Sequence, residues 1–477
     1  MVGFNEFVYF YCLLSSVVCL LLHLVHSKWL SRRSGTWGAS FGQQNAEFRN
    51  FQKRFLIGYL PCLFADSLQA PYLYYLYHSY GFLESQIAIL YVSGFVTNVL
   101  FTIVSVGLVQ RVERKVLCLS FIGINSISCL MKFSDNYSLL LLSRVMDGIA
   151  CSLLTAPFQE WYVHEHVQTY DFPKEWIPVT FRKVALTNGY LAIAAGFLAE
   201  LSERSFRVTA FPFLLAIPIL ILGGYWIHIN WNQNRSESEA PAPKLWLQFG
   251  RGLRTITHNP QVFLLSSIQA LFEAVIYMFA FLWTPIFLNM EHAATAKASF
   301  GGIYSSLMAS VLLGTLVNRM LSSRHFAAVH LLTLASSVCF VAKVLIVALL
   351  YPGGTNETGF NVLLVLFCTY ELGVGLYFPA MQRLQKDLLP PEERSAILSL
   401  FRIPLNLIAA GGLLIVEQSR SRLYGNWMIL ILCMVLLALC LMATLLLGGL
   451  VRRNQPDLDH FVLQLNQPDE DDEEVFS

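Results

Sequence analysis

Thirteen apolar stretches, most of them 18 to 25 residues long, run through these 477 residues, and each is long enough to cross a hydrocarbon layer of ~30 Å as a helix. The chain is therefore read as a polytopic membrane protein. Water is absent from hydrocarbon, so the backbone groups of each stretch must bond within the stretch, and an all-α bundle follows. The spans fall near 5–26, 55–77, 85–109, 116–133, 137–157, 180–200, 208–229, 262–288, 299–318, 326–350, 360–383, 396–416 and 426–450.

Hydrophobic residues make up 55% of the chain and charged ones 13%, with a net charge of +1. That balance fits neither a soluble multidomain enzyme nor a nucleic-acid binder. With Met1 outside, the cytosolic segments, counted with the span ends that adjoin them, carry 23 of the 32 Lys and Arg; the outside loops carry 6, and Arg144, Lys343 and Arg402 lie within spans. This asymmetry is the positive-inside rule, and it places the N-terminus outside and the C-terminus in the cytosol. The first span lacks a basic residue before it and a small-residue cleavage site after it, which reads as a retained anchor rather than a signal peptide. All ten cysteines fall within apolar spans or at their ends, none in a CxxC or metal-type spacing, so neither disulfides nor zinc is expected. Asn356-Glu357-Thr358 is a glycosylation acceptor on the outside face, and Asn136-Tyr137-Ser138 is a second acceptor closer to the membrane.

The organisation reads as an extra N-terminal helix with a basic cytosolic segment (1–54), a six-span bundle (55–229), a cytosolic linker (230–261), a second six-span bundle (262–450) and an acidic tail (451–477). The linker is marked by Asn230, Asn232, Asn234, Ser236, Pro241 and Pro243, and the tail holds an acidic block at 467–474 that cannot bury enough apolar surface to fold. A duplication supports the six-plus-six division. Ser67-Leu68-Gln69-Ala70 in the first core span matches Ser267-Ile268-Gln269-Ala270 in the seventh. Likewise Phe181-Arg182 followed by Ile193-Ala194-Ala195-Gly196 in the fifth matches Phe401-Arg402 followed by Ile408-Ala409-Ala410-Gly411 in the eleventh.

Ionisable residues in hydrocarbon are costly and usually face a cavity or a partner. Asp66, Asp147, Glu273 and Glu371 sit near mid-span in the first, fourth, seventh and tenth core spans, each about 15–18 Å from a span end at 1.5 Å per residue. Asp66, Gln69 and Tyr72 form one helix stripe, and Gln269, Glu273 and Tyr277 another. Arg144, three residues before Asp147, either pairs with it locally or stands as the cation nearest a central ligand. Arg402, close to the cytosolic end of its span, reads as a gate salt bridge or a snorkelling end residue, and Lys343 as a peripheral or inter-helix contact. The paired His164 and His166, at i and i+2, share no helix face and point to no metal site; an interfacial aromatic helix accounts better for Trp161, Tyr162 and Trp176. No P-loop, GxSxG or HExxH motif is present, which leaves ATP-driven transport and common hydrolase chemistry without support and no cofactor implied.

These features resemble the major facilitator superfamily. Its loop signature between the second and third core spans has a degraded counterpart in 107–115 (GLVQRVERK), where Gln110 stands in place of the usual Asp, and a looser one in 314–319. The resemblance casts Gly107, Arg111 and Arg114, with Arg182 and Arg402, as gating residues. More closely, 66–77 (DSLQAPYLYYLY), 86–91 (QIAILY), 160–178 (EWYVHEHVQTYDFPKEWIP), 268–285 (IQALFEAVIYMFAFLWTP) and 375–381 (GLYFPAM) are similar to the molybdate-anion transporter branch. The resemblance implies uptake of molybdate or a similar small inorganic oxyanion across the plasma membrane by alternating access, by a monomer. Helix 5 lacks the family's glycine-proline antiporter pattern, which favours symport or uniport. Two other readings stand beside it: a proton-coupled transporter of an organic cationic or neutral solute, and a membrane sensor of the same fold that carries no flux.

Epitope tags at the two ends test the orientation. A tag before Met1 should be reached by antibody on intact cells and a tag after Ser477 only after permeabilisation; equal access of both would overturn the thirteen-span topology.

Overall fold

The computed structural model describes residues 3–33, 45–234, 245–291, 298–324, 326–350, 357–390, 393–418 and 422–453. Asn356 and the acidic block lie outside the described residues. The helices are α1 Phe4–Arg33, α2 Ala46–Gln69, a 3-10 turn Ala70–Tyr72, α3 Leu73–Ser79, α4 Glu84–Arg111, α5 Arg114–Met131, α6 Tyr137–His164, α7 Ile177–Phe206, α8 Phe211–Asn230, α9 Leu245–His258, α10 Pro260–Glu291, α11 Phe300–Ser322, α12 Ala328–Leu349, α13 Glu357–Leu388, α14 Arg394–Gln418 and α15 Arg422–Arg453. The fold is an all-α, six-plus-six bundle with one extra N-terminal helix.

Twelve helices among the described residues are long and apolar enough to cross a membrane. The expected stretch at 55–77 is not among them: α2 is long enough but too polar, with Glu47, Arg49, Asn50, Gln52, Lys53 and Arg54 in its first turns, and at Pro71, which has no backbone N–H to continue the ladder, the chain turns through Ala70–Tyr72 before resuming as α3. α2 is still a central helix, packed on α7 and α8, with Phe55, Cys62, Ala65 and Leu68 fully buried. Its start is set by Asn45, whose side chain accepts from the N–H groups of Glu47 (2.9 Å) and Phe48 (3.2 Å), satisfying orphan donors of the first turn. Asn136 caps α6 in the same way through Ser138 and Leu139, so the second glycosylation triplet is also a helix start.

α1 precedes the first bundle in sequence but packs on α11 and α13 of the second. Val8, Cys12 and Cys19 face that bundle, while Phe10, Leu13 and Leu21 face outward. Between the bundles the long contacts are α4 with α14 and α7 with α11. Glycines permit the approach: a Cβ on Gly196 would lie 2.6 Å from the Gly301 carbonyl, and within the second bundle a Cβ on Gly375 would lie 2.0 Å from the Val311 carbonyl. Close backbone contact of this kind supplies the packing that hydrophobicity cannot supply between helices in lipid.

Trp161 and Tyr162, expected on an interfacial aromatic helix, are buried within the protein, and Trp176 is half-buried. Trp161 stacks on Trp231 at 3.8 Å, and Tyr162 on Phe51 at 5.0 Å. His166 is pinned in the same cluster: its Nε2 donates to the Pro173 carbonyl at 2.9 Å, which leaves Nδ1 to accept from the Tyr162 hydroxyl at 3.4 Å. After Trp161 and Tyr162 the π turn Glu165–Thr169 leads the chain to Phe172 and Trp176, which pack on Phe48 of α2.

Gly375→Ala should destabilise the detergent-purified protein by about 1–3 kcal/mol through overpacking, read as a fall of several degrees in thermal unfolding. Gly411→Ala, which meets nothing within 4 Å, should leave the midpoint unchanged.

Candidate functional site

The first bundle carries a charge cluster built on Asp147. Arg144, three residues earlier on α6, donates to Asp147 Oδ2 at 2.8 Å, and Lys132, at the end of α5, donates to Asp147 Oδ1 at 2.9 Å. Ser128 also donates to Asp147, completing an Asn125, Ser128, Lys132 stripe along α5. The Lys132 ammonium reaches Gln69 Oε1 at 3.1 Å, and Gln69 Nε2 in turn reaches Asn125 Oδ1 at 3.4 Å. Arg144 is held further by the Leu90 carbonyl at 3.3 Å and by the face of Tyr91 at 5.1 Å. Of the two sequence readings of Arg144, the local pair with Asp147 is the geometry present. Lys132 was missed because it ends its span; the spacing from Asn125 and Ser128 was the available signal.

Asp66, in the last turn of α2, and Cys151, halfway along α6, are solvent-exposed. Asp66 stands in the field of Asp147, Lys132 and Arg144, and Cys151 in that of Asp66, Arg402, Arg144 and Asp147. Their surroundings are thus charged protein rather than lipid, and both line a hollow between the bundles. Tyr277 and Tyr304 close in from the second bundle, Tyr277 stacked on Phe95 at 4.9 Å and Tyr304 beside Ser67. Toward the α3 end the hollow is capped by aromatic pairs that cross the bundles: Tyr74 and Tyr91 on Phe281 at 5.2 and 5.4 Å, and Tyr75 on Phe300 at 4.9 Å.

The stripe expected on the first core span is not kept. Asp66 faces the hollow, Gln69 is buried against α5, and Tyr72, rotated by the 3-10 turn, is buried in the field of Glu200 and Glu203. On α10 the set holds together better: Gln269 accepts from Gln385 at 2.8 Å, Glu273 accepts from the Tyr377 hydroxyl at 3.3 Å, and Arg402 lies in the field of both Glu273 and Tyr277. Glu371 is buried behind the hollow with Lys343 of α12 as its cationic neighbour. Lys343 is fully buried, its ammonium 4.2 Å from the Tyr370 ring and 4.7 Å from that of Phe279. Four acids therefore face four cations, Lys132, Arg144, Lys343 and Arg402, where sequence spacing pointed to Arg144 alone.

Of the gate candidates, Arg114 is buried at the start of α5, near Glu160, with its N–H bonded to the Asn234 carbonyl at 3.3 Å. Gly107 and Arg111 end α4, where Arg111 is exposed. Arg182 offers its carbonyl to Arg319 of the second bundle at 3.2 Å. Arg402 is not at a helix end: it reaches across the bundles to the Thr102 hydroxyl at 3.4 Å.

Two bundles around a charged hollow define a multi-pass secondary transporter of the major facilitator type. The fold is shared with solved structures of the nucleoside transporter NupG (TM-score 0.65, 14% identity, 84% of this chain and 99% of that one) and of a POT family transporter (TM-score 0.65, 12% identity, 85% and 97%). Residues 9–373 match the family of sugar transporters with 12 TM, and the chain belongs to that family. It is 38% identical to the molybdate-anion transporter of Xenopus laevis over 413 residues (86% of this chain, 88% of the relative) and 42% identical to that of Danio rerio over 393 residues (78% and 80%).

Asp147→Asn would leave Lys132 and Arg144 buried without their shared anion, at a cost of about 3–5 kcal/mol. Thermal unfolding in detergent should show a marked fall, partly recovered by adding Lys132→Met. A stable Asp147→Asn protein would mean that the carboxylate does not hold the cluster.

Proposed function

We propose that this protein takes up molybdate or a similar oxyanion across the plasma membrane by alternating access of its two bundles, with the N-terminus outside and the C-terminus cytosolic. The observation that carries the reading is the 38–42% identity, over most of the chain, to proteins named molybdate-anion transporters. The role is transport and not catalysis. Asp66, Gln69, Tyr72, Arg144, Asp147, Gln269, Glu273, Tyr277 and Glu371 form the polar surroundings of the substrate, in direct contact or one helix removed.

The charge balance suggests how an anion is admitted. With Asp66, Asp147, Glu273 and Glu371 ionised, they cancel Lys132, Arg144, Lys343 and Arg402, and a dianion gains little from the summed field. A proton on Asp66 or Glu273, which are open or half open and, unlike Asp147, form no ion pair among the described residues, leaves the site net positive. Proton and oxyanion then travel together, which is symport.

Purified protein in liposomes tests this. Saturable accumulation of radiolabelled molybdate, increased by an inward proton gradient and competed by sulfate more than by organic solutes, is expected. Flux of a nucleoside, sugar or organic cation in the absence of molybdate flux would replace the oxyanion; specific binding with no flux would make the protein a sensor.

A further inference from the structure

We propose that Arg402 is the residue that binds the transported anion, an assignment that rests on the oxyanion reading above and that sequence spacing had given to Arg144. Three of the four central cations are already committed. Lys132 and Arg144 each form an ion pair with Asp147. Lys343 is fully buried between the rings of Tyr370 and Phe279. Arg402 forms no ion pair among the described residues and is half-buried.

A guanidinium carries five N–H donors in a planar fork. In Arg402 the bond described is a long one, from Nη1 to the Thr102 hydroxyl at 3.4 Å, and none of its nitrogens is buried without a partner. The rest of the fork is therefore accessible rather than sealed among partners. A fork of this kind meets two oxygens of a tetrahedral oxyanion at once, which an ammonium, acting as a point charge, does not. The Arg402 charge acts on Cys151 of α6 and on Glu273 and Tyr277 of α10, groups that belong to the same hollow.

The position also links binding to movement. Arg402 belongs to α14 and Thr102 to α4, and this helix pair is one of the two long seams between the bundles. Thr102 is itself tied into the first bundle through Ser152 (3.0 Å) and Asn98 (3.4 Å). An anion that takes the fork replaces a weak hydroxyl contact across the seam with a charged one, so the loaded and empty states differ at a place where the bundles part.

Cys151 supplies the readout: it is exposed, and the other nine cysteines are buried. In full-length protein, with the labelling of a Cys151→Ser control subtracted, saturating molybdate should slow labelling of Cys151 by a water-soluble maleimide several-fold. In Arg402→Ala the molybdate concentration giving half-protection should rise at least tenfold, and the KM for liposome uptake should rise with it. Arg402→Lys, which keeps the charge and loses the fork, should fall between the two and covers the case in which the alanine variant does not fold. Protection and KM unchanged in both variants would remove Arg402 from the site and leave the oxyanion reading standing. No protection and no molybdate uptake in the unaltered protein would instead remove the oxyanion reading itself.

Discussion

The Asp147 carboxylate, shared by an arginine of its own helix and a lysine of the next, is the interaction on which the first bundle depends. A lone charge at this depth is too costly to keep, so α5 and α6 must hold a register in which Lys132, Ser128 and Arg144 converge on one group. The Lys132 ammonium then orients Gln69, and through it α2. With Gln69 turned against α5, Asp66 three residues earlier faces the hollow. The exposed acid proposed for the transport site is thus placed by a salt bridge it does not belong to.

The same economy separates scaffold from site. Lys132, Arg144 and Lys343 are consumed by acids or rings, and a charge already paired in a dry setting is poorly suited to bind and release a ligand with each cycle. Breaking such a pair would expose both partners to the desolvation cost that the pair offsets. Arg402, with an open fork and only a long hydroxyl contact, exchanges partners at little cost. Charge density in a membrane protein is therefore a poor guide to its binding residue; the uncommitted charge is the better one.

Length and apolarity made the helical layout legible in the sequence, because a hydrocarbon slab imposes both. The even distribution of acids over the first, fourth, seventh and tenth core spans was legible for the same reason. Their partners were not. Lys132 and Asp147 meet from different helices, as do, 300 positions apart, Arg402 and Thr102, and Lys343 acts on Glu371 across helices without an ion pair. One-turn spacing finds partners on a helix's own face and is blind to these. Tyr72 was placed on the Asp66 face by counting turns as though α2 continued, although Pro71 beside it announced the 3-10 turn that rotates it away. Cys151, to the eye one more apolar residue of its span, marks the hollow only once its neighbours are in place.

Movement is constrained by what holds the two bundles together at the α3 end. Four aromatic pairs cross there or just beneath it, Tyr74 and Tyr91 on Phe281, Tyr75 on Phe300 and Phe95 on Tyr277. Each contributes about 0.5–1.5 kcal/mol beyond its buried area. Buried Glu200 of α7 adds a polar tie to the second bundle and to α1, accepting from the Gly302 N–H at 2.8 Å, the Tyr9 hydroxyl at 2.7 Å and Ser299. A ligand shifts such an equilibrium only by its differential affinity for the two states. Aromatic faces part without leaving charges unpaired, so the closure totals a few kcal/mol, within reach of one charged contact made or lost at the seam. A cap built from ion pairs would have required more than a small anion supplies. Ion pairs are accordingly kept inside the bundles, where helices keep their register, and between them, where helices must separate, rings predominate, with the Glu200 carboxylate and the Arg402 guanidinium held across the seam by uncharged partners.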